Sequence, residues 1–205
     1  MSLKLYIGCM FSGKTSELIR EYTRWRKIGR KVVCINFSSD TRYGDDDFVY
    51  SHDLNKIQCL KATNLLDIPD AELTDVQVIL INEGQFFKDL FDFCSKWVDL
   101  YKKDIVVCGL DGDYRRKPFG QINDLISIAD EVTKLKAFCT KCNDGTPAIF
   151  THRISECKDI VSINNDYIPV CRAHYVELNK LKPIIKESKS TDSLYGHFSC
   201  ANYVI

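Results

Sequence analysis

Gly8-Cys9-Met10-Phe11-Ser12-Gly13-Lys14-Thr15 constrains this chain more than any other stretch. It satisfies G-x-x-x-x-G-K-[ST], with an apolar run at residues 3–7 before it and a helical pattern after it, so strand, tight loop and helix follow one another there. Glycine permits backbone angles closed to other residues. Such a loop turns consecutive N–H groups inward on phosphate oxygens, with a helix N-terminus behind them. Lys14 is placed to neutralise β- and γ-phosphates, and the Thr15 hydroxyl to ligate Mg2+. Nucleotide binding follows. Whether the phosphate passes to water, to a small molecule or to a protein stays open at this point.

The pattern continues along the chain. Leu18, Ile19, Tyr22 and Trp25 stand at helical spacing over residues 16–27, and Gly29 closes that helix. Residues 31–37 (KVVCINF), 76–81 and 104–108 are apolar on both faces, as buried parallel strands are. A helix rich in Phe, Trp and Leu is predicted over 88–101, and another over about 121–129. Alternating strands and helices imply an α/β fold, a P-loop NTPase-type parallel sheet flanked by helices. Ligands bind at the C-terminal ends of such strands, where GCMFSGKT, SSDTRYG, NEGQFF and GLDGDYRRKPFG all fall. The character changes at 132–142, which divides the chain into a nucleotide-binding domain at 1–134, a smaller unit at 135–181 and a flexible tail at 182–205.

Twenty-eight basic side chains balance 28 acidic ones in 205 residues, so the basic excess of a nucleic-acid binder is missing. No apolar run approaches the length of a membrane span, and the N-terminus lacks the pattern of a secretion signal. A cytoplasmic location is expected, with the ten cysteines reduced and their spacing pointing to metal or core roles before disulfides. Cys139-x-x-Cys142 and Cys171-x-x-His174 form two chelating pairs that complete a closed tetrahedral Cys3His set, the signature of structural Zn2+. Fewer than about 40 residues lie between the pairs, too few for a core without such a staple. The other cysteines read as core or unremarkable thiols, and none of His52, His152 and His197 reads as a catalytic base.

Glu83, directly after the 76–81 strand, is the best-placed carboxylate for removing a proton from an acceptor hydroxyl; a surface acid in a turn is the alternative. Phe86 and Phe87 beside it suit a pocket that stacks a base. Tyr114 and Phe119 add further rings in the next loop. Arg115, Arg116 and Lys117, together with Arg42, are placed to meet phosphate or a carboxylate.

Taken together these motifs resemble one family. GCMFSGKT resembles its GPMFSGKS-type loop, DTRYG its second phosphate-contacting loop, NEGQFF its DEGQFF segment and LDGDYRRKPFG its LDGTFQRKPFG segment, while CTKC and CRAH resemble its zinc pairs. The chain looks like a type II, zinc-containing thymidine kinase over about residues 3–176. The resemblance implies transfer of phosphate from ATP, with Mg2+, to thymidine, and a zinc-anchored lasso closing over the nucleoside. It assigns Glu83 as the base. It places ATP on the phosphate loop, on Asp40, Thr41 and Arg42, and on Asn82, Glu83, Gly84 and Gln85. The thymine pocket falls to Met10, Phe86, Leu110, Tyr114 and Phe119, with lasso contacts from Ile160, Val161, Ser162, Ile163, Asn164 and Tyr167. Such enzymes are typically homotetramers inhibited by dTTP, which implies the same here.

This sequence departs from the pattern at several positions. Asn82 stands where the family has aspartate, Cys9 replaces proline, Tyr114 replaces phenylalanine, and Asn164-Asn165 replace a glycine pair. Asn82 is expected to accept a hydrogen bond through its amide oxygen without the charge, weakening Mg2+ binding. Broader base preference that includes deoxyuridine is the alternative enzyme, and an ATP-binding regulatory protein the alternative outside enzymes.

Overall fold

A computed structural model describes residues 1–38, 47–50, 55–155 and 166–180. The expected sites at Asp40, Thr41, Arg42 and Ile160 to Asn164, and the 182–205 tail, lie outside the described residues. Strand β1 (Ser2–Gly8) leads through the phosphate loop into α1 (Lys14–Lys27), and β2 (Val32–Phe37) follows. An antiparallel pair, β3 (Phe48–Tyr50) and β4 (Lys56–Gln58), precedes β5 (Leu60–Ala62) and the short α2 (Asp70–Thr74). Next come β6 (Val78–Ile81), α3 (Leu90–Ser95), β7 (Asp104–Gly109) and β8 (Glu131–Leu135). Six of these strands form one parallel sheet in the order β5-β2-β6-β7-β1-β8.

The two-residue period of a strand sorts the core into two layers. Leu3, Leu5, Ile7, Ile79, Ile81, Ile105 and Val107 face one side, where Phe87, Leu90, Phe93, Trp97, Ile122 and Leu125 cover them. Tyr6, Cys34, Val78, Leu80, Val106 and Cys108 face the other, under Leu18, Ile19, Tyr22 and Trp25 of α1. Both faces are therefore dry, and this is why the strands read as unbroken apolar runs. Cys94 is buried in the first layer and Cys59 in the second. Helix α1 ends at Gly29, whose φ of 81° suits glycine, with basic Arg24, Arg26 and Lys27 in its last turn.

Two predicted helices come out shorter. The one at 88–101 is α for Leu90–Ser95 and then widens to a π-type turn over Lys96–Leu100. The one at about 121–129 is reduced to a 3₁₀ turn, Asp124–Ser127. There Ile122 and Leu125 are buried while Ile126 and Ile128 are exposed. An apolar spacing of three suits i→i−3 turns, which Asp124, Ile126 and Ile128 make to Gln121, Asn123 and Leu125.

After β8 the chain builds two small antiparallel pairs. Strand β9 (Ala137–Phe138) pairs with β10 (Pro147–Ala148), and β11 (Phe150–Arg153) with β12 (Tyr167–Val170); α4 (Arg172–Leu178) closes the unit. Its core is Cys9, Ala137, Cys139, Ala148, Val170, Cys171 and Tyr175. One of those residues belongs to the phosphate loop. Among the described residues no helix is long and apolar enough to cross a membrane.

Candidate functional site

The phosphate loop leaves β1 and passes tightly under the end of β8. A Cβ on Gly8 would collide with the Leu135 carbonyl oxygen, and Gly13 adopts a left-handed φ of 83° at the start of α1. Phe11 is left-handed too, at φ 63°. Lys14 Nζ donates to the Cys9 carbonyl at 2.7 Å, so the cation lies back across the loop. The Ser12 hydroxyl is buried with no hydrogen-bond partner. A buried hydroxyl without a partner is costly unless a ligand completes it, and in this loop a phosphate oxygen fits that role. The other side of the loop is held by the small unit: Met10 N–H donates to Thr151 Oγ1 at 3.1 Å, and Cys9 Sγ lies 3.5 Å from the Ala148 carbonyl. Burial pushes the Cys9 thiol up from its ordinary pKa, which keeps it a neutral packing group.

Glu83 follows β6 directly and takes a left-handed conformation, φ 53° and ψ 39°. A side-chain-bearing residue held there stores roughly 1–3 kcal/mol, and such strain gathers at functional turns. The 3₁₀ turn Gly84–Phe86 fixes it, with Phe86 N–H donating to the Glu83 carbonyl at 3.1 Å. Gln85 Nε2 donates to Glu83 Oε2 at 2.6 Å. Asn82 is 3% exposed, and its Nδ2 donates to Asn36 Oδ1 at 3.0 Å. That bond commits the amide nitrogen to the end of β2 and turns the oxygen away from Asn36. Gly84 is required where it stands, since a Cβ would lie 2.7 Å from Val107 Cγ1.

The predicted pocket residues fall into two aromatic groups. Phe86 packs against Phe37 at 5.2 Å and edge-on to Phe119 at 5.5 Å. Tyr114 and Tyr167 face each other at 6.3 Å with the Arg153 guanidinium over both, 5.1 and 5.6 Å from the ring centres. Leu110 N–H is held by Gln85 Oε1 at 3.0 Å. Phe87, read from sequence as a pocket ring, is instead fully buried in the sheet core, because it follows the turn that sends Phe86 outward. The cation run also has a packing role. Arg116, left-handed at φ 62°, lies over Tyr175 at 4.6 Å and Phe150 at 5.4 Å, while Arg115 Nε donates to Tyr114 Oη at 2.8 Å. Tyr175 Oη donates to the Tyr114 carbonyl at 2.7 Å, a second tie between loop and small unit.

Two residues at this site were missed in the sequence. Thr151 and Arg153 are buried on one face of β11. Their alternation with Phe150 and His152 was the only available signal.

Cys139, Cys142, Cys171 and His174 converge with their ligand atoms within 4.8 Å of one another. His174 Nδ1 stands 3.5, 3.4 and 3.4 Å from the sulfurs of Cys139, Cys142 and Cys171, and the Cys142 and Cys171 sulfurs are 3.8 Å apart. A tetrahedral ion with Zn–S of about 2.3 Å and Zn–N of about 2.0 Å has edges of ~3.8 Å between sulfurs and ~3.5 Å from sulfur to nitrogen. The residues fit zinc. Burial opposes a Cys139 thiolate, but the backbone N–H groups around it bring its pKa down to about 6, while burial and the neighbouring thiols push Cys142 up to about 11.

Residues 1–175 match the family model described as thymidine kinase. The thymidine kinase of vaccinia virus (strain Western Reserve) is 41% identical over 177 residues, covering 85% of this chain and 97% of that protein. That of variola virus is 42% identical over 177 residues, with the same coverage. Thymidine kinase a of Arabidopsis thaliana is 40% identical over 195 residues, covering 92% of this chain and 79% of its own.

Proposed function

The chain belongs to the thymidine kinase family, and on that premise we propose that it transfers the γ-phosphate of ATP to the 5′-hydroxyl of thymidine, giving dTMP. The observation that carries this reading is the sheet order. Strands β6, β7 and β1 are adjacent, so the acid Glu83, the Leu110 loop and the phosphate loop share one edge of the sheet. A phosphoryl donor, an acceptor pocket and a base meet there as in-line transfer requires.

Catalysis then rests on positioning and charge. Lys14 exchanges the Cys9 carbonyl for phosphate oxygens of ATP. Glu83 accepts the 5′-hydroxyl proton as the new O–P bond forms and the bond from the γ-phosphorus to the β,γ-bridging oxygen breaks, with ADP leaving. Phe86, Phe119, Tyr114 and Tyr167 enclose the base, with Met10 and Leu110 on its flanks. Thr15 and Asn82 are the residues that would hold Mg2+, which neutralises charge on the β- and γ-phosphates when bound. The Cys3His set would hold Zn2+ as a closed structural site and take no part in the chemistry.

The proposal includes the division at 134 into a kinase domain and a zinc lasso, with a tail from 182. It extends, on the family resemblance, to a cytoplasmic homotetramer with dTTP as feedback inhibitor. A steady-state assay with thymidine, ATP and Mg2+ across the common nucleosides, zinc content being measured on the same sample, tests it. ATP bound without dTMP formed would sink the kinase reading for this chain.

A further inference from the structure

Gln85 sits between the acid and the nucleoside pocket, and both ends of its side chain are engaged. Its Nε2 donates to Glu83 Oε2 at 2.6 Å, and its Oε1 accepts from Leu110 N–H at 3.0 Å. The partners fix which way the amide faces. A backbone N–H only donates, so the oxygen must meet Leu110, which leaves the nitrogen to donate to Glu83.

The surroundings are shaped to keep the side chain there. Gln85 is 3% exposed. A Cβ on Gly109 would stand 2.8 Å from Gln85 Oε1, and one on Gly120, which is left-handed at φ 57°, would collide with the Gln85 carbonyl. Gly109 at the end of β7 and Gly120 in the loop that follows therefore leave room for one glutamine. A buried amide with both polar ends satisfied is rigid, since turning it would break two hydrogen bonds at once.

We propose that Gln85 is a positioning residue that holds the Glu83 carboxylate in register with the Leu110 wall of the nucleoside pocket. This rests on the phosphoryl transfer proposed above. Its family resemblance places Gln85 on ATP, but the side chain here links the base to the acceptor side. One planar amide joins the two, so a displacement of Leu110 is passed to the carboxylate that must meet the 5′-hydroxyl. A misplacement of about 1 Å at a reacting group can cost on the order of a hundredfold in rate.

Two variants test it. Gln85→Met keeps the volume and removes both hydrogen bonds. Gln85→Glu keeps an acceptor for Leu110 and sets a second carboxylate against Glu83. Both are expected to lower kcat about a hundredfold, with dissociation constants for ATP within about twofold of the parent. In Gln85→Glu the rising limb of the kcat profile is expected to move to higher pH, because two facing carboxylates share a proton. A merely structural role would lower the thermal midpoint and leave kcat of the folded variants near the parent's. If Gln85→Met unfolds by circular dichroism, Gln85→Glu decides alone. Near-parental kcat in folded Gln85→Glu overturns the inference, as does weakened ATP binding at unchanged kcat, which would return Gln85 to the donor. A parent chain that forms no dTMP sinks the phosphoryl-transfer reading and this one with it; an active parent with unaffected Gln85 variants sinks this one alone.

Discussion

The Glu83 turn and the Cys3His cluster are both tight constructions of a few residues, yet they are held in opposite ways. The turn stands on a sheet buried on both faces, with Ile81, Val107 and Ile122 fully buried beneath it and glycines cut to fit. Among the described residues the cluster stands on a core of seven buried residues, two of which belong to the Cys3His set itself. Packing fixes the first. On the proposed zinc site, ligand chemistry fixes the second, since an apolar core of that size offsets little of the entropy of ordering its chain. The two regions meet at the phosphate loop, where Cys9 and Met10 lean on Ala148 and Thr151.

If this contrast holds, stripping the metal has the largest effect. Structural zinc contributes roughly 10–16 kcal/mol of apparent binding free energy in small domains. Chelation, or Cys171→Ala, is expected to abolish amide-exchange protection in β9 to β12 and α4 while β1, β6 and β7 keep theirs. Uniform loss across both regions would break the comparison. Next comes Glu83→Gln, expected to reduce dTMP formation about a thousandfold, within the range of a general base. Zinc content and ATP affinity should stay at parental levels. Residual turnover near the parent's would remove Glu83 from the chemistry.

A smaller effect is expected from Gly109→Ala, whose new methyl would meet Ile122 Cδ1 at 2.5 Å and Gln85 Oε1 at 2.8 Å. Overpacking of this kind costs about 1–3 kcal/mol. The thermal midpoint should drop, and kcat with it, while zinc stays bound. The smallest effect belongs to Asn82→Asp. A charged acceptor is worth roughly 1.5–3 kcal/mol against about 1 for a neutral one, so the Mg2+ concentration for half-maximal rate should fall several-fold. Part of that gain is offset by the lost donor to Asn36. An unchanged Mg2+ dependence would detach Asn82 from the metal.

Much of this was legible in the sequence because its signals are local. The strand, loop and helix around Lys14 lie within about 25 consecutive residues, and each half of the Cys3His set lies within four. Phe87 and the 121–129 segment were misread because a turn of one residue, or a spacing of three in place of 3.6, changes which side chains reach the core. Thr151 and Arg153 stayed hidden for a different reason. Their partners in the site, Met10, Tyr114 and Tyr167, lie 14 to 141 residues away, and the alternation of a four-residue strand does not say what its buried face meets.

The sequence by itself determined a phosphate loop on a parallel sheet, an acid at a strand end and a four-ligand cluster, since each is set by spacing and residue type. The tertiary structure alone decided that Glu83 is left-handed, that the Gln85 amide runs from it to Leu110, that Asn82 turns its nitrogen to Asn36, and that the phosphate loop rests on the zinc-ligand unit. The last three join segments far apart in the chain. They exist only once the sheet has brought its ends together and packing has left each side chain a single place to go.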